Sequence, residues 1–482
     1  MRHHLLKTLF IIGLMIMSFR SIAQERVIVD ERQELSAIVW RLAGCEEYNT
    51  RINPSYLENI ETYFGGYKGH PVMDFIREMR TKKDSISVVA YNSVPMSAAV
   101  LQIRNNRVKI NPDVNLIEYI AGNDSRWTEQ NLRKYVKLLD DFYRKSEFRQ
   151  FFDSHADLYA SYIAEMTAVF QDNVKAEWFR QFYGMELPGF NVIVSPANGI
   201  NNYALNEDIL NAAGYDGIGA LMGVSYNPEK GKINRNTYVP ILLHEISHYF
   251  TNQIFFPDYT EQLTAAGAKI FEHLSEPLTA AGYGAAYIVC PEFLNELCAM
   301  MYTKEVLGST LANEVRACYR KGFIWADECI RYMENFTANR EQYSRFSDFI
   351  PQLVGFMESI ADNIKPMKDA FYTAPYIVYS YPCAGSTVSP DISEIVFRLS
   401  QPMETGITAF DAHESAELFI DDSWYETHDD EPEYWKDEYT YVIRVWKKLE
   451  QGKKYGIVIP ATLCNRNGIN MTDDYVYEFN IK

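Results

Sequence analysis

The sequence predicts an α+β protein in which a helix-rich domain with a small sheet precedes an all-β sandwich. Apolar residues recur at helical spacing over residues 128–183 and again from 291 to about 364. Two apolar runs between these stretches, residues 190–195 and 218–226, are typical of buried strands. From residue 376 onward, short alternating segments separated by Pro, Gly and Asn indicate a β-sandwich.

The individual elements follow from the same periodicities, taken in chain order. A strand is expected near Arg26–Asp30, ahead of the first helices. The expected helices outside residues 128–183 are Glu34–Ala43, Ser55–Phe64, Pro291–Leu307, Thr310–Lys321 and Tyr343–Asn363. The clearest expected strands of the sandwich are Ile395–Leu399, Tyr441–Val445 and Tyr475–Ile481.

The N-terminus has the three regions of a secretory signal peptide. Arg2 and Lys7 precede an apolar run from Leu9 to Phe19, and a small-residue cleavage site ends at Ala23. We therefore expect residues 1–23 to be removed and the protein to be secreted, into the periplasm or the extracellular space. Since no later segment approaches about 18 uncharged apolar residues, the sequence predicts no membrane span.

Composition narrows the class of protein further. The chain has 482 residues, of which 47% are hydrophobic, which is enough for a large core and for two or three domains. A formal net charge of −18 makes nucleic acid an unsuitable partner, because binding it needs clustered Lys and Arg. We expect a mixed and helical part over residues 24–185 and a core over 186–364, which together form one domain, 24–370. A sandwich domain is expected over 375–482.

Residues 244–248 read His-Glu-Ile-Ser-His, and their spacing is the clearest indication of chemistry in the sequence. Residues four apart share one face of a helix, so His244 and His248 can direct imidazole nitrogens at one metal ion, with Glu245 beside them. The flanking residues are apolar nearly all round, which predicts a buried helix. Burying these polar groups without partners would cost on the order of 2 kcal/mol each, and a metal would satisfy them. The alternative is two core histidines bonded to backbone groups and a Glu present by chance.

A catalytic zinc site needs a third protein ligand and one open position. In the metzincin pattern a Gly and a third His follow at fixed offsets, but Thr251 and Ile254 occupy those offsets here, which excludes that class. A helix expected to start at Pro291 offers two carboxylates four residues apart on one face, Glu292 and Glu296.

At this point the chain resembles the gluzincin metallopeptidases, in which His-Glu-x-x-His is followed on a later helix by an Asn-Glu pair. Asn295-Glu296 matches that pair. The resemblance implies that Glu296 is the third ligand of a Zn²⁺ ion, with Glu292 as the fallback. It also implies a zincin-like fold for the helix-rich domain, with Glu245 as the general base.

Looser motifs carry two further resemblances. Residues 42–44, 63–71, 178–179 and 190–196 are similar to a family of secreted bacterial gluzincin-like proteins filed as a domain of unknown function, over most of residues 26–360. Met300-Met301 departs from an Arg-Ala pair expected there. The C-terminal part resembles a bacterial Ig-like domain, on landmarks at residues 382–386, 395–403, 449–455 and 467–468.

These observations predict a secreted zinc-dependent metallohydrolase, foremost a peptidase acting on a peptide or protein substrate, with Glu245 as general base. The strand over residues 218–226 is expected to be an edge that pairs with an extended substrate. The Ig-like domain is expected to offer a contact surface for another protein or a glycan. The alternative is a non-catalytic secreted or surface binding protein that retains a zincin scaffold; the intact Glu245 favours the enzyme.

Overall fold

The structure is a computed structural model, and it describes residues 26–482 except 51, 82–88, 228–231, 421–423, 425, 427 and 429–430. The expected signal peptide, residues 1–23, therefore lies outside the described residues. The predicted α+β class is confirmed, because helices dominate up to Phe371 and strands dominate from Ile377 onward. Among the described residues, no helix combines the length and the apolar character needed to cross a membrane.

Helices occupy the stretches in which they were expected, and further helices that were not expected include Pro71–Thr81, Val94–Ala99 and Leu116–Asn123. Asp30 shows how one of them begins, because its side chain accepts a hydrogen bond of 2.8 Å from the backbone N–H of Arg32. In chain order the α-helices are α1 (Glu31–Leu42), α2 (Pro54–Phe64), α3 (Pro71–Thr81), α4 (Val94–Ala99), α5 (Leu116–Asn123), α6 (Glu129–Lys145), α7 (Phe148–Ser154), α8 (Ala156–Asn173), α9 (Ala176–Tyr183), α10 (Glu207–Ala212), α11 (Arg235–Ala280), α12 (Ala286–Leu307), α13 (Ala312–Arg320), α14 (Ala326–Ala338), α15 (Phe346–Asp362) and α16 (Ile364–Phe371). Short 3-10 turns cover Glu46–Tyr48, Gly65–Tyr67 and Tyr91–Ser93.

Short strands lie between these helices. They are β1 (Arg26–Ile28), β2 (Leu101–Arg104), β3 (Arg107–Ile110), β4 (Phe190–Val194), β5 (Asn202–Leu205), β6 (Ile218–Met222), β7 (Tyr226–Asn227) and β8 (Lys232–Ile233). Four of them form one sheet in the order β1-β4-β6-β5. In this sheet β1, β4 and β6 are parallel, whereas β5 is antiparallel to β6. Every residue of β4 and of β6 is buried, as expected for central strands.

This strand order corrects the prediction that residues 218–226 form the edge of the sheet. The strand β6 pairs with β4 on one side and with β5 on the other, so its hydrogen-bonding edges are both used. The edge strands are β1 and β5, and β5 lies between the two predicted strands, where no strand was expected. Its four residues follow Asn201 and begin with a polar residue. They therefore do not form the apolar run that would predict a strand.

The described chain forms two compact units, and neither is continuous in sequence. The first comprises the described residues up to Glu261 together with Cys290–Leu311 and Tyr332–Val354. The second comprises Gln262–Val289, Ala312–Arg331 and Gly355–Lys482. The sheet described above and residues 244–248 both belong to the first unit.

The C-terminal part of the second unit consists of two four-stranded sheets. Its strands are β9 (Ile377–Tyr381), β10 (Thr387–Val388), β11 (Glu394–Leu399), β12 (Asp411–Ala412), β13 (Glu433–Asp437), β14 (Thr440–Arg444), β15 (Lys454–Ile459) and β16 (Tyr475–Ile481). The sheets have the orders β10-β16-β15-β12 and β13-β14-β11-β9. Side chains of both sheets, including Phe397, Tyr441, Tyr455 and Phe479, share one buried cluster. This is the predicted sandwich, and an independently folding domain over residues 375–482 stays a prediction.

A buried carboxylate lies in the core of the first unit. Glu34 on α1 is 0% exposed and accepts hydrogen bonds from Tyr56 Oη at 2.7 Å, from Ser195 Oγ and from the backbone N–H of Ala197 at 3.3 Å. Burial raises the pKa of Glu34 to about 7, although these hydrogen bonds partly oppose the shift. The carboxyl group is therefore easier to protonate in the folded chain than in the unfolded chain.

Glu34 should make stability fall as pH rises. Its pKa is about 7 in the folded chain against an ordinary value of 4.5, so between these values the folded state holds a proton that the unfolded state releases. The free energy of unfolding should drop by up to about 3 kcal/mol across this window. In Glu34→Gln this component should be absent. Urea unfolding of both proteins between pH 4.5 and 8 measures the difference.

Glu58→Gln is the matched control for this experiment. Glu58 lies on α2 and is exposed, so the substitution removes the same charge without touching the core. Its stability should follow the wild-type dependence on pH. Parallel curves for wild type and Glu34→Gln would contradict the prediction.

Candidate metal centre

The His-Glu-x-x-His string lies on α11, and the helix is buried as predicted. Leu242, Leu243, Ile246 and Phe250 are each 0% exposed. The ring of Phe250 stacks on Tyr183, with ring centres 4.3 Å apart and an interplanar angle of 2°. The motif is therefore held by close packing on the apolar sides of the helix.

The helix α11 starts upstream of Pro240, a residue type that suits the first turn of a helix. The helix begins at Arg235, one turn earlier. The carbonyl of Asn234 accepts from the N–H groups of Thr237 and Tyr238, both at 3.1 Å, and its side chain accepts from Asn236 N–H at 3.2 Å. Asn234 thus satisfies the free donors at the helix start, which Pro240 cannot do.

One buried side chain joins the motif helix to α12. Asn295 is 0% exposed. Its amide nitrogen donates to the backbone carbonyl of His244 at 3.0 Å, and its amide oxygen accepts from Thr251 Oγ1 at 2.9 Å. These two bonds fix the position of α12 along α11. As a result Glu292 and Glu296, on either side of Asn295 in sequence, face the motif.

Three groups converge on one point. Glu292 Oε2 lies 3.6 Å from His244 Nε2 and 3.8 Å from His248 Nε2. The candidate ligand atoms of these three residues all lie within 4.8 Å of one another. Tetrahedral zinc with bonds of about 2.0–2.2 Å separates its ligand atoms by roughly 3.3–3.6 Å. The observed spacing is therefore close to what a single zinc ion requires.

The predicted third ligand, Glu296, occupies a different position. Its Oε2 lies 2.9 Å from Nδ1 of His244, which is the nitrogen opposite the one that faces Glu292. This is a close ion-pair contact rather than an aligned hydrogen bond, since Nδ1 is buried without a hydrogen-bond partner among the described residues. A carboxylate behind a histidine in this way orients the ring and raises its basicity.

Glu245 points into an adjoining cleft and is only 7% exposed. The backbone N–H of Ala204, on the edge strand β5, lies near its carboxylate and favours the ionised form. Burial raises the pKa of Glu245 to about 7, a shift that the positive charge of His244 partly opposes. A carboxyl group with this pKa suits a general base at neutral pH.

The two imidazoles differ in their protonation. Burial opposes a charge on His244, but Glu292 and Glu296 outweigh it and raise its pKa to about 10. Burial and the nearby charge of His244 lower the pKa of His248 to about 4. The cluster therefore concentrates negative charge around His244, which favours a bound cation.

The cleft beside Glu245 has a volume of about 540 Å³ and lies within the first unit. It runs from the motif along α11 and past the outer edge of β5. Its lining residues are Met96, Gly122, Asn123, Ala204, Leu205, Asn206, Glu207, Asp208, Ile209, Ile218, Gly219, Glu245, His248, Tyr249, Asn252 and Gln253.

Two parts of this site were missed from the sequence. The edge strand β5 carries no apolar run, so only its pairing with β6 reveals it. The other is Asn252, which lines the cleft beside His248 and partly opposes the lowering of its pKa. It had a usable signal, because it follows His248 by four residues and so shares its helix face.

A family described as "Domain of unknown function (DUF4932)" matches residues 26–356, more than half of the 482 residues. Among solved structures, the chain is similar to the S-layer protein rSbsC(31-844), at 13% identity and a TM-score of 0.16, and to domains 1-6 of surface layer protein SbsC, at 15% identity and a TM-score of 0.16. Each match covers 53% of this chain and 34% of the other chain. No curated protein matches.

Asn295→Ala should weaken the connection between α11 and α12. It leaves the His244 carbonyl and the Thr251 hydroxyl without their partner and opens a cavity, so the free energy of unfolding should fall by about 2–4 kcal/mol. Chemical denaturation measures the change. Thr251→Ser, which keeps the hydroxyl, is the control and should lose no more than about 1 kcal/mol. Equal losses in the two variants would show that Asn295 does not join the helices.

Proposed function

The chain belongs to the DUF4932 family of domains of unknown function, and we propose that it is a secreted zinc-dependent metallohydrolase that cleaves peptide bonds. The observation that carries the proposal is the convergence of His244, His248 and Glu292 beside Glu245 at the mouth of a cleft. The resemblance of the motif to gluzincin metallopeptidases favours a peptidase over other hydrolases.

The donor set fits zinc. Two imidazole nitrogens and one carboxylate oxygen suit Zn²⁺ better than Mg²⁺ or Ca²⁺, which prefer oxygen ligands. The side chains of His248 and Glu292 are 16% and 29% exposed, so the cluster is reached from one side. Three ligands and an accessible fourth side are typical of a catalytic zinc site, whereas structural sites are closed by four ligands.

The distances favour Glu292 as the third ligand, which was the fallback from the sequence. Its oxygen approaches the Nε2 atoms of both histidines, whereas Glu296 approaches only Nδ1 of His244. In this assignment Glu296 is a positioning residue. It holds His244 so that Nε2 faces the metal.

Glu245 is proposed as the general base. Zn²⁺ held at this site would supply Lewis-acid activation of a water and of the scissile carbonyl. Glu245 would accept a proton from the attacking water and deliver it to the leaving amine. The nearby N–H of Ala204 favours the ionised form of the carboxylate, which is the form that accepts the proton. Its burial keeps bulk water from competing for the proton.

Two parts of the proposal concern the rest of the chain. Secretion, to the periplasm or the extracellular space, rests on the pattern of residues 1–23. The sandwich over residues 375–482 is proposed as a bacterial Ig-like domain that contacts another protein or a glycan, because its landmarks occur in the order of that class.

The zinc content and the role of Glu245 are tested together. The purified wild-type chain should hold about one zinc ion and cleave members of a mixed peptide library. Glu245→Gln keeps the size of the side chain and removes the base, so cleavage should fall by about a hundredfold or more while zinc content and melting temperature stay close to wild type. Metal analysis, mass spectrometry of the library and thermal melts measure these three quantities.

His248→Ala is the comparison for zinc, and it should lose the metal as well as the activity. If the wild-type chain binds no zinc on titration, the metallohydrolase is excluded. If it binds zinc but cleaves nothing, and Glu245→Gln behaves identically in every assay, the non-catalytic binding protein becomes the better account.

Glu292→Gln and Glu296→Gln separate the ligand from the positioning residue. Loss of a carboxylate behind a ligand histidine typically weakens metal binding by about 10–100-fold, which is the expectation for Glu296→Gln. Glu292→Gln should weaken it more, because a direct bond is lost. Competition with a chelator measures both affinities. The reverse order would make Glu296 the ligand, as the sequence resemblance implies.

A further inference from the structure

The cleft beside Glu245 carries charge of one sign only. Glu207 and Asp208 line it at the first turn of α10, and both are exposed. Neither carboxylate forms a salt bridge within the described part of the chain. No Lys or Arg is among the described residues that line the cleft. The two carboxylates therefore give the cleft a negative potential that no Lys or Arg among its described lining residues neutralises.

The remaining walls suit a long side chain with a polar end. Leu205, Ile209 and Ile218 are buried and contribute apolar surface, and Met96 adds a flexible thioether. Such surface contacts the methylene stem of a Lys or Arg side chain, whose charged end stays near polar groups. The amides that line the cleft and can hydrogen-bond such an end are Asn123, Asn206, Asn252 and Gln253.

The position of the cleft relates these groups to the site of cleavage. Glu245 and His248 line it together with Glu207 and Asp208, which come shortly after β5 in the chain. A peptide extended along the outer edge of β5 directs alternate side chains to one face. One of them can then occupy the cleft while the peptide bond beside it lies near Glu245.

We infer that this cleft is a specificity subsite for a Lys or Arg side chain next to the scissile bond. The inference rests on the proposed peptidase function and names its substrate class, which is peptides with a basic residue at the cleavage site. Two carboxylates, amide hydrogen-bonding groups and an apolar wall complement a guanidinium or ammonium group on an aliphatic stem.

The two carboxylates can also stabilise their own helix, and the test must separate this effect from recognition of the substrate side chain. Acidic residues in the first turn of a helix stabilise it through the helix dipole. Glu207→Gln with Asp208→Asn removes both charges and keeps the size of both side chains. The control is Glu58→Gln with Asp157→Asn, which removes two exposed charges elsewhere in the first unit, one of them in the first turn of α8.

The experiment compares otherwise identical fluorogenic peptides with Lys, norleucine or Glu at the variable position. The wild-type full chain loaded with zinc should prefer Lys over norleucine in kcat/KM by about tenfold and cleave the Glu peptide least. In the Glu207/Asp208 double variant this Lys-to-norleucine ratio should fall by about fivefold to tenfold. In the control double variant the ratio should stay at its wild-type value. Raising the salt concentration should lower the ratio in wild type, because salt screens these charges.

Binding distinguishes failure of this inference from failure of the proposed function. Fluorescence anisotropy with zinc-loaded Glu245→Gln protein measures the affinity for the same three peptides without cleavage. Cleavage with equal rates for Lys and norleucine, unchanged in the double variant, overturns the subsite and leaves the peptidase standing. A second outcome is that no peptide is cleaved but Lys peptides bind more tightly, and that Glu207→Gln/Asp208→Asn abolishes this preference. This outcome supports the subsite for a basic side chain and contradicts the peptidase function. If no peptide is cleaved and the Lys peptide binds no better than the others, both the subsite and the peptidase function are contradicted.

Discussion

The candidate site depends on the contact between α11 and α12 at Asn295. The helix α11 alone can bring together His244 and His248, because four residues make one turn. It cannot supply the carboxylates, which lie more than forty residues later on α12. The side chain of Asn295 bonds the carbonyl of His244 itself, so the backbone that carries the first histidine is tied to the helix that carries Glu292 and Glu296. A slip of one residue in this contact would turn both carboxylates away from the histidines.

The same contact explains why the site can bear so much negative charge. Three carboxylates, Glu245, Glu292 and Glu296, lie around two imidazoles in a largely buried place. Buried like charges repel one another unless a cation compensates them. A proton on His244 fulfils this role in part, because the neighbouring carboxylates raise the pKa of that imidazole. A divalent cation would compensate more of the charge. The ring of Phe250 stacks on Tyr183, so α11 is also held against α9.

How much could be predicted from the sequence differs between the elements. The α+β class, the buried motif helix and strands such as β4 and β16 follow from strong periodicity, and the structure confirms them. The His-Glu-x-x-His face is set by local spacing, so it too was predictable. The choice between Glu292 and Glu296 was not, because both lie on one helix face and only the docking of α12 decides which meets the Nε2 atoms. The edge strand β5 was missed because its position depends on pairing with β6 and not on its own composition.

The edge strand β5 lies beside the proposed base and also offers an edge on which a substrate peptide can pair. In an antiparallel pair, the N–H and C=O of one residue point to the same side, and successive residues alternate. Since the N–H of Gly223, next to β6, donates to the carbonyl of Asn201, alternation makes Tyr203 and Leu205 face β6 and Ala204 face outward. An extended peptide on this edge can therefore use the carbonyl and the N–H of Ala204, and this N–H lies near Glu245. The backbone group that would bind the substrate thus lies beside the proposed base, so a peptide bound in register is placed next to Glu245.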